Sequence, residues 1–89
     1  MSAIAAPSLN RLPDDLAALI PDDAPELVGV GWIADLLGIT PQTVTHAIRA
    51  GKLPALSIPG AATTIAYAVR PEDAVRIWGR RVLRRRAAA

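Results

Sequence analysis

Apolar residues recur at helical spacing just before the middle of the chain, which predicts a first helix in this region. Gly38 follows the stripe, and glycine is favoured just past a helix C-terminus. The members of the stripe are Trp32, Ile33, Leu36 and Leu37. We expect Trp32, and Trp78 further along the chain, to lie in the core, with an exposed partner surface as the alternative.

A second helix is predicted over residues 41–50, directly after the first. Thr40 is a favoured N-cap residue, and Pro41 suits the first helical position. Gly51 then provides a second C-terminal stop. The turn that joins the two helices is therefore only the three residues 38–40.

A β-hairpin is predicted next, because β-branched residues stand on both sides of Pro59-Gly60. Its strands are expected near residues 55–58 and 64–69. A third helix is predicted to begin at Pro71, and its last residues, RRVLRRRAAA, are expected to fray. The residues of this helix that can face inward are Ala74, Val75, Trp78 and Val82.

The segment LPDDLAALI, residues 12–20, predicts a short amphipathic helix ahead of this unit. Pro13 suits a first helical position, and Asp14 and Asp15 would stand in the first turn, where acids favour the helix dipole. Its apolar stripe consists of Leu12, Leu16, Leu19 and Ile20. A helix this short is marginal alone, so we expect it to dock on its own domain, with a second protein as the alternative.

Size and composition exclude several classes of protein. A chain of 89 residues has room for one small domain. Its lack of cysteine removes disulfides, thiolate metal sites and thiol nucleophiles, and it suits a reducing compartment. No apolar stretch approaches the ~20 residues that cross a bilayer. We therefore expect a soluble cytoplasmic protein that is not associated with a membrane.

Charge is distributed unevenly along the chain. Residues 1–40 carry one basic and six acidic residues, a net charge of −5, whereas residues 41–89 carry nine basic and two acidic residues, a net charge of +7. The second half is therefore the part of the chain whose positive charge would attract phosphate groups. We expect the acidic segment around residues 14–23 to fold back on the basic half and to weaken nonspecific binding.

The two central helices have the residues that a helix-turn-helix requires. Its second helix crosses close over the first, which needs a small residue at the crossing, a glycine at the bend and buried aliphatic residues in the second helix. These residues are Ala34, Gly38, Ile39, Val44 and Ile48. Once Val44, Ala47 and Ile48 face inward, the opposite face carries Gln42, Thr45, His46 and Arg49.

This opposite face suits the reading of base edges in the major groove. Gln42 can contact adenine, Arg49 can contact guanine or a phosphate, and the methyl groups of Thr43 and Thr45 can meet a thymine methyl. The amides that follow Thr40 can hold a backbone phosphate at the helix N-terminus. The alternative is a merely solvated helix face.

A second set of residues is expected to hold the phosphate backbone. These residues are Lys52, Arg80, Arg81 and Arg84. The alternative for the arginines is a helix C-terminus whose positive charges complement the helix dipole.

The sequence GWIADLLGITPQTVTHAIRAGKLPA, followed by a hairpin and RPEDAVRIW, resembles the MerR-like winged helix-turn-helix domains of excisionases and small bacterial regulators. The likeness covers residues 27 to about 80 and rests on Gly38, Thr43-Val44 with Ile48, residues 51–54 and residues 71–73. It implies a fold that is mainly α with a small β-hairpin, a winged helix-turn-helix. The wing SIPGAATT departs from the family in lacking charge, and His46 stands where many relatives have an aromatic residue or arginine.

Three segments are expected on this basis. Residues 1–26 form an N-terminal tail with a short helix, residues 27–80 the winged helix-turn-helix domain, and residues 81–89 an Arg/Ala-rich C-terminal tail. The resemblance implies that the partner is double-stranded DNA, with self-association on repeated sites, and that the protein lies in the cytoplasm of a bacterial host cell in association with the nucleoid.

Several functions fit these expectations. The first is a sequence-specific DNA-binding protein, either an excisionase that assists an integrase or another phage or host protein, or a transcriptional regulator. Alternatives are DNA recognition like that of phage terminase small subunits, and a protein-interaction module that does not bind DNA. The uncharged wing and the amphipathic N-terminal segment favour the interaction module.

Catalysis, metal binding and cofactor binding are not expected. A nucleophile needs a neighbouring base and an orienting group, and the serines at positions 2, 8 and 57 stand far from His46 in the sequence pattern. His46 has no second histidine and no cysteine to join it around a metal. Adjacent aspartates diverge on a helix, and no glycine-rich phosphate loop is present. We therefore expect no enzyme activity.

Overall fold

The chain forms four helices and a three-stranded antiparallel sheet over the residues that the structure describes, 11–60 and 65–88. The structure is a computed structural model. In chain order the elements are α1 (Asp14–Ala17), β1 (Val28–Gly29), α2 (Val30–Leu37), α3 (Pro41–Arg49), β2 (Leu56–Pro59), β3 (Ile65–Val69) and α4 (Pro71–Ala88).

Strand β3 lies in the middle of the sheet, whose order is β1-β3-β2. It pairs with β2 from Leu56 opposite Ala68 to Pro59 opposite Ile65. The predicted hairpin is therefore confirmed, with strand bounds shifted by about one residue. Residues 61–64, at the expected tip of the wing, lie outside the described residues.

The third strand lies where Leu27, Val28 and Val30 predict a short extended entry to α2, but its pairing into the sheet was not predicted. Val28 lies opposite Val69 on β3, so the segment before α2 belongs to the sheet. A strand of two residues is too short for an alternating pattern to reveal it, and only the pairing with β3 defines it. The expectation of helices with a small β-hairpin is therefore met in part, because the described residues form four helices and a three-stranded sheet, an α+β arrangement.

The core draws residues from all four helices and from the sheet. Six large side chains are less than 2% exposed, and they are Ile33, Leu37, Val44, Leu53, Val69 and Val75. Trp78 is buried, and Trp32 is partly buried against the same cluster, as expected of core residues. Leu53 comes from the loop after α3, so this loop is fixed by burial as well as by hydrogen bonds.

Helix α1 is shorter than predicted, and it docks on its own domain. Its α-helical bonds stop at Ala17, and the amides of Leu19 and Ile20 donate to carbonyls three residues back in turns. Pro21 cannot continue a helix, which explains the early end of the segment. Leu16 and Leu19 are nevertheless buried in the common core, so docking on the same domain is confirmed.

The contact between α1 and α4 is close because α4 carries a glycine where α1 crosses it. A Cβ atom placed on Gly79 would lie 2.6 Å from the Cδ2 atom of Leu16. The absence of a side chain at this position is what lets the leucine reach the core.

The C-terminal segment differs from the expected fraying tail. Helix α4 continues to Ala88, and Val82 is buried in the core. Arginine and alanine are good helix formers, and the burial of Val82 holds the helix past residue 81. Residues 81–88 are therefore helix, and Ala89 lies outside the described residues.

Across the described part of the chain, no helix combines the length and the apolar character needed to cross a membrane.

Burial of Leu16 predicts that α1 contributes to global stability. We expect Leu16→Ala to lower the free energy of unfolding by about 2–5 kcal/mol, through lost apolar burial and the cavity left behind. The exposed neighbour Ala17 is the control, and Ala17→Ser should change the value by less than about 0.5 kcal/mol. Denaturant unfolding measures both, and equal values for the two variants would contradict the packing of α1.

Candidate nucleic-acid interface

The turn between α2 and α3 is fixed by backbone geometry. Gly38 adopts a left-handed conformation, with φ 68°, and the amides of Gly38 and Ile39 both donate to the carbonyl of Ala34. This conformation favours glycine because a Cβ atom would be strained there. The chain reverses within residues 38–40, as predicted, so the start of α3 is set relative to α2.

Helix α3 begins at a side-chain cap. The amide of Thr43 donates to the Oγ1 atom of Thr40 over 3.2 Å, and the hydroxyls of the two threonines share a hydrogen bond of 2.9 Å. Pro41 has no N–H, and the amide of Thr43 is already used. Within the first turn, the amide of Gln42 is therefore the one best placed to meet an anion.

The two faces of α3 have opposite characters. Val44 is fully buried and Ala47 is buried, whereas Ile48 is partly buried against the core. Ala34 on α2, the small residue expected at the crossing of the two helices, is 3% exposed. Burial of this apolar side fixes the direction in which the polar side points.

The polar side of α3 brings four of the predicted residues together. Gln42, His46 and Arg49 are exposed and Thr45 is half-buried. Together with Pro41, these four side chains line one shallow depression. The arrangement can offer an amide, a hydroxyl, an imidazole and a guanidinium to one ligand surface.

The remaining predicted residues near α3 flank this surface. Thr43 is exposed, but its hydroxyl is engaged with Thr40. Lys52 is exposed in the turn after α3, where its amide donates to the carbonyl of Ala47 over 2.9 Å. Gly51, with φ 77°, makes this turn possible and places the lysine just past the helix C-terminus.

The three predicted arginines of α4 do not have the same environment. Arg80 forms an ion pair with Asp15 of α1, with 2.6 Å between Nη1 and Oδ2. Both side chains are about half exposed, so the pair contributes no more than about 1 kcal/mol to stability. Arg81 and Arg84 are exposed and form no ion pair with any described residue.

An arginine outside the predicted site residues, Arg85, contacts the turn between α2 and α3. The Nη1 atom of Arg85 donates to the carbonyl oxygen of Gly38, the residue that ends α2, over 3.4 Å. The spacing of Trp78, Val82 and Arg85 places them on one side of α4, so helical periodicity could have indicated this contact. The pattern of charge alone did not distinguish Arg85 from its neighbours.

Among the described residues, no group of three or more histidine, cysteine, aspartate or glutamate side chains is placed to hold a metal ion. None of the protein families, curated proteins and solved structures with which the chain was compared matches it.

The Thr40 cap gives a direct test of how α3 is held. We expect Thr40→Ala to lower the free energy of unfolding by about 1 kcal/mol, because the amide of Thr43 loses its side-chain acceptor. Thr40→Ser keeps that acceptor and should stay near the wild-type value. Thermal or denaturant unfolding provides the measurement, and an equal loss in both variants would show that the hydroxyl does not act as the cap.

Proposed function

We propose that this protein is a small sequence-specific double-stranded DNA-binding protein with a winged helix-turn-helix fold, of the excisionase or MerR-like regulator type. The observation that carries the proposal is the polar face of α3, which lies opposite a buried apolar face and directly after a three-residue turn. Helix α3 would enter the major groove with this face toward the base edges.

The dimensions of α3 suit this task. Its nine residues make a helix about 13 Å long, and a helix with side chains is about 10–12 Å wide, which the major groove of about 12 Å accepts. Gln42 and Arg49 stand near its two ends and have the side chains that pair with adenine and guanine. Thr45 and His46 fill the space between them and contact neighbouring bases.

Contacts to phosphate would orient the domain without reading sequence. The amide of Gln42, the side chain of Lys52 and the exposed Arg81 and Arg84 are the groups for this role. Arg80 is held by Asp15, so the acidic N-terminal segment reduces the positive charge that this helix offers to DNA. The basic half then binds DNA in general less tightly than its charge of +7 implies.

A domain this small makes few base contacts, so useful specificity requires several copies on repeated sites. An excisionase would place these copies beside an attachment site, where an integrase is the partner, and a regulator would place them at a promoter. The position of the bound sequence distinguishes the two roles.

A second candidate function is a protein-interaction module. Leu56 and Ile58 are exposed on β2, in a wing sequence without charge, which is unlike a strand that tracks phosphate. A pulldown that recovers one stoichiometric protein regardless of nuclease treatment would favour this candidate.

Selection of bound fragments from a genomic DNA library tests the first proposal. We expect the wild type to enrich a short repeated motif at near-physiological salt. A folded Gln42→Ala/Arg49→Ala variant should lose it, because each lost base contact removes about 1–3 kcal/mol of discrimination. Arg84→Ala is the matched control, and it should weaken binding to all sequences while keeping the motif. If wild type and variant enrich nothing, DNA recognition by α3 is refuted.

The ion pair between Asp15 and Arg80 predicts a change in nonspecific binding. We expect Asp15→Asn to raise the affinity for random-sequence DNA at low salt by about two- to fivefold, the range that a surface ion pair allows. The dependence of affinity on salt should also steepen by up to about one phosphate contact.

Asp23→Asn is the control for this experiment, since it removes the same charge from an exposed aspartate that forms no ion pair with the described residues. Fluorescence anisotropy over a salt series measures both variants, and equal gains would mean that net charge alone acts. Deletion of residues 1–25 would test the acidic segment less cleanly than Asp15→Asn, because it also removes Leu16 and Leu19 from the core.

A further inference from the structure

The outer face of the sheet is apolar and exposed. Val28 and Val69 lie opposite each other and are buried, so the residues that alternate with them point away from the core. Leu56 lies opposite Ala68 on that outer face, and Ile58 follows two residues later. Leu56 is 59% exposed, Ile58 50% and Leu27, just before β1, 43%.

One end of this face forms a depression with charges of both signs. Leu27, Leu56 and Ala68 supply apolar lining, together with Pro54 and Ala55. The charged residues around it are Glu26, Arg70 and Asp73. Asp73 pairs with Arg76, whereas Glu26 and Arg70 form no ion pair with any described residue.

We propose that this face, the outer sheet face, binds the same face of a second copy of the chain about a two-fold axis. A two-fold contact uses one surface twice, so the surface must be complementary to itself. In such a contact the exposed apolar side chains of the two copies pack against each other. At the edge of the face, Glu26 of each copy can form an ion pair with Arg70 of the other. A rim of a single sign would instead repel its own copy.

The size of the face sets the strength of the contact. Three partly exposed aliphatic side chains per copy amount to a few hundred Å² at most, below the ~800 Å² per partner of a stable interface. Self-association is therefore weak in free solution, and it strengthens where two copies are held side by side.

The outer sheet face and the α3 surface have no lining residue in common. Self-association thus leaves Gln42 and Arg49 accessible, and it goes beyond the proposed DNA binding without depending on it. Measured without DNA, the two proposals succeed or fail separately.

Sedimentation equilibrium of the full chain tests the apolar part of the contact. Over about a hundredfold range of concentration, we expect the average mass of the wild type to rise from one copy toward two. Leu56→Ser should weaken association by about tenfold or more, because a two-fold contact loses the buried leucine twice. A wild type that remains monomeric throughout overturns the proposal and leaves the face to a different protein.

Charge reversal tests the two-fold arrangement. Glu26→Lys and Arg70→Glu should each abolish self-association, since every cross-interface pair then joins like charges. An equimolar mixture of the two variants should associate again, because both ion pairs in the mixed dimer join opposite charges. Association of the mixture also shows that both variants fold. The control variant Arg84→Glu makes the same change of charge as Arg70→Glu, but away from this face, and it should associate like the wild type. Failure of the mixture to associate overturns the proposed pairing.

Discussion

The packing of α2 is the constraint on which the rest of the structure depends. This eight-residue helix contacts α3, α4, β1 and β3. Ile33, Ala34 and Leu37 are all buried, and an isolated helix of this length would not persist in water. The helix therefore exists because its apolar side is covered, and its neighbours are placed because they cover it.

The direction of the α3 surface follows from this packing together with two local devices. Gly38 reverses the chain, and the Thr40 cap sets the first turn of α3. Burial of Val44 then fixes the rotation of the helix about its own axis. The proposed reading of base edges by α3 requires all three, because an error in rotation would replace the polar residues by apolar ones.

Some arginine side chains of α4 contact other groups of the protein, whereas others are exposed. Three arginines of α4 have partners within the described chain: Arg76 contacts Asp73, Arg80 contacts Asp15 and Arg85 contacts the carbonyl of Gly38. Arg81 and Arg84 are exposed and form no ion pair there. The acidic segment, which is distant in sequence, thus lies against the basic helix. The positive charge that α4 leaves free for a partner is therefore smaller than its arginine count indicates.

The sequence by itself determined the features that depend on near neighbours. The three-residue turn, the Thr40 cap, the two glycine stops, the hairpin and the polar face of α3 all follow from spacing and residue type, and each was predicted within about a residue.

Only the tertiary structure decided the features that depend on distant partners. Strand β1 exists through its pairing with Val69 and Ala68, the helix past residue 81 is held by burial of Val82, and Arg80 and Arg85 are distinguished by contacts with Asp15 and Gly38. Local sequence patterns reflect interactions between residues that are close together in the chain, whereas these contacts join residues up to 65 positions apart.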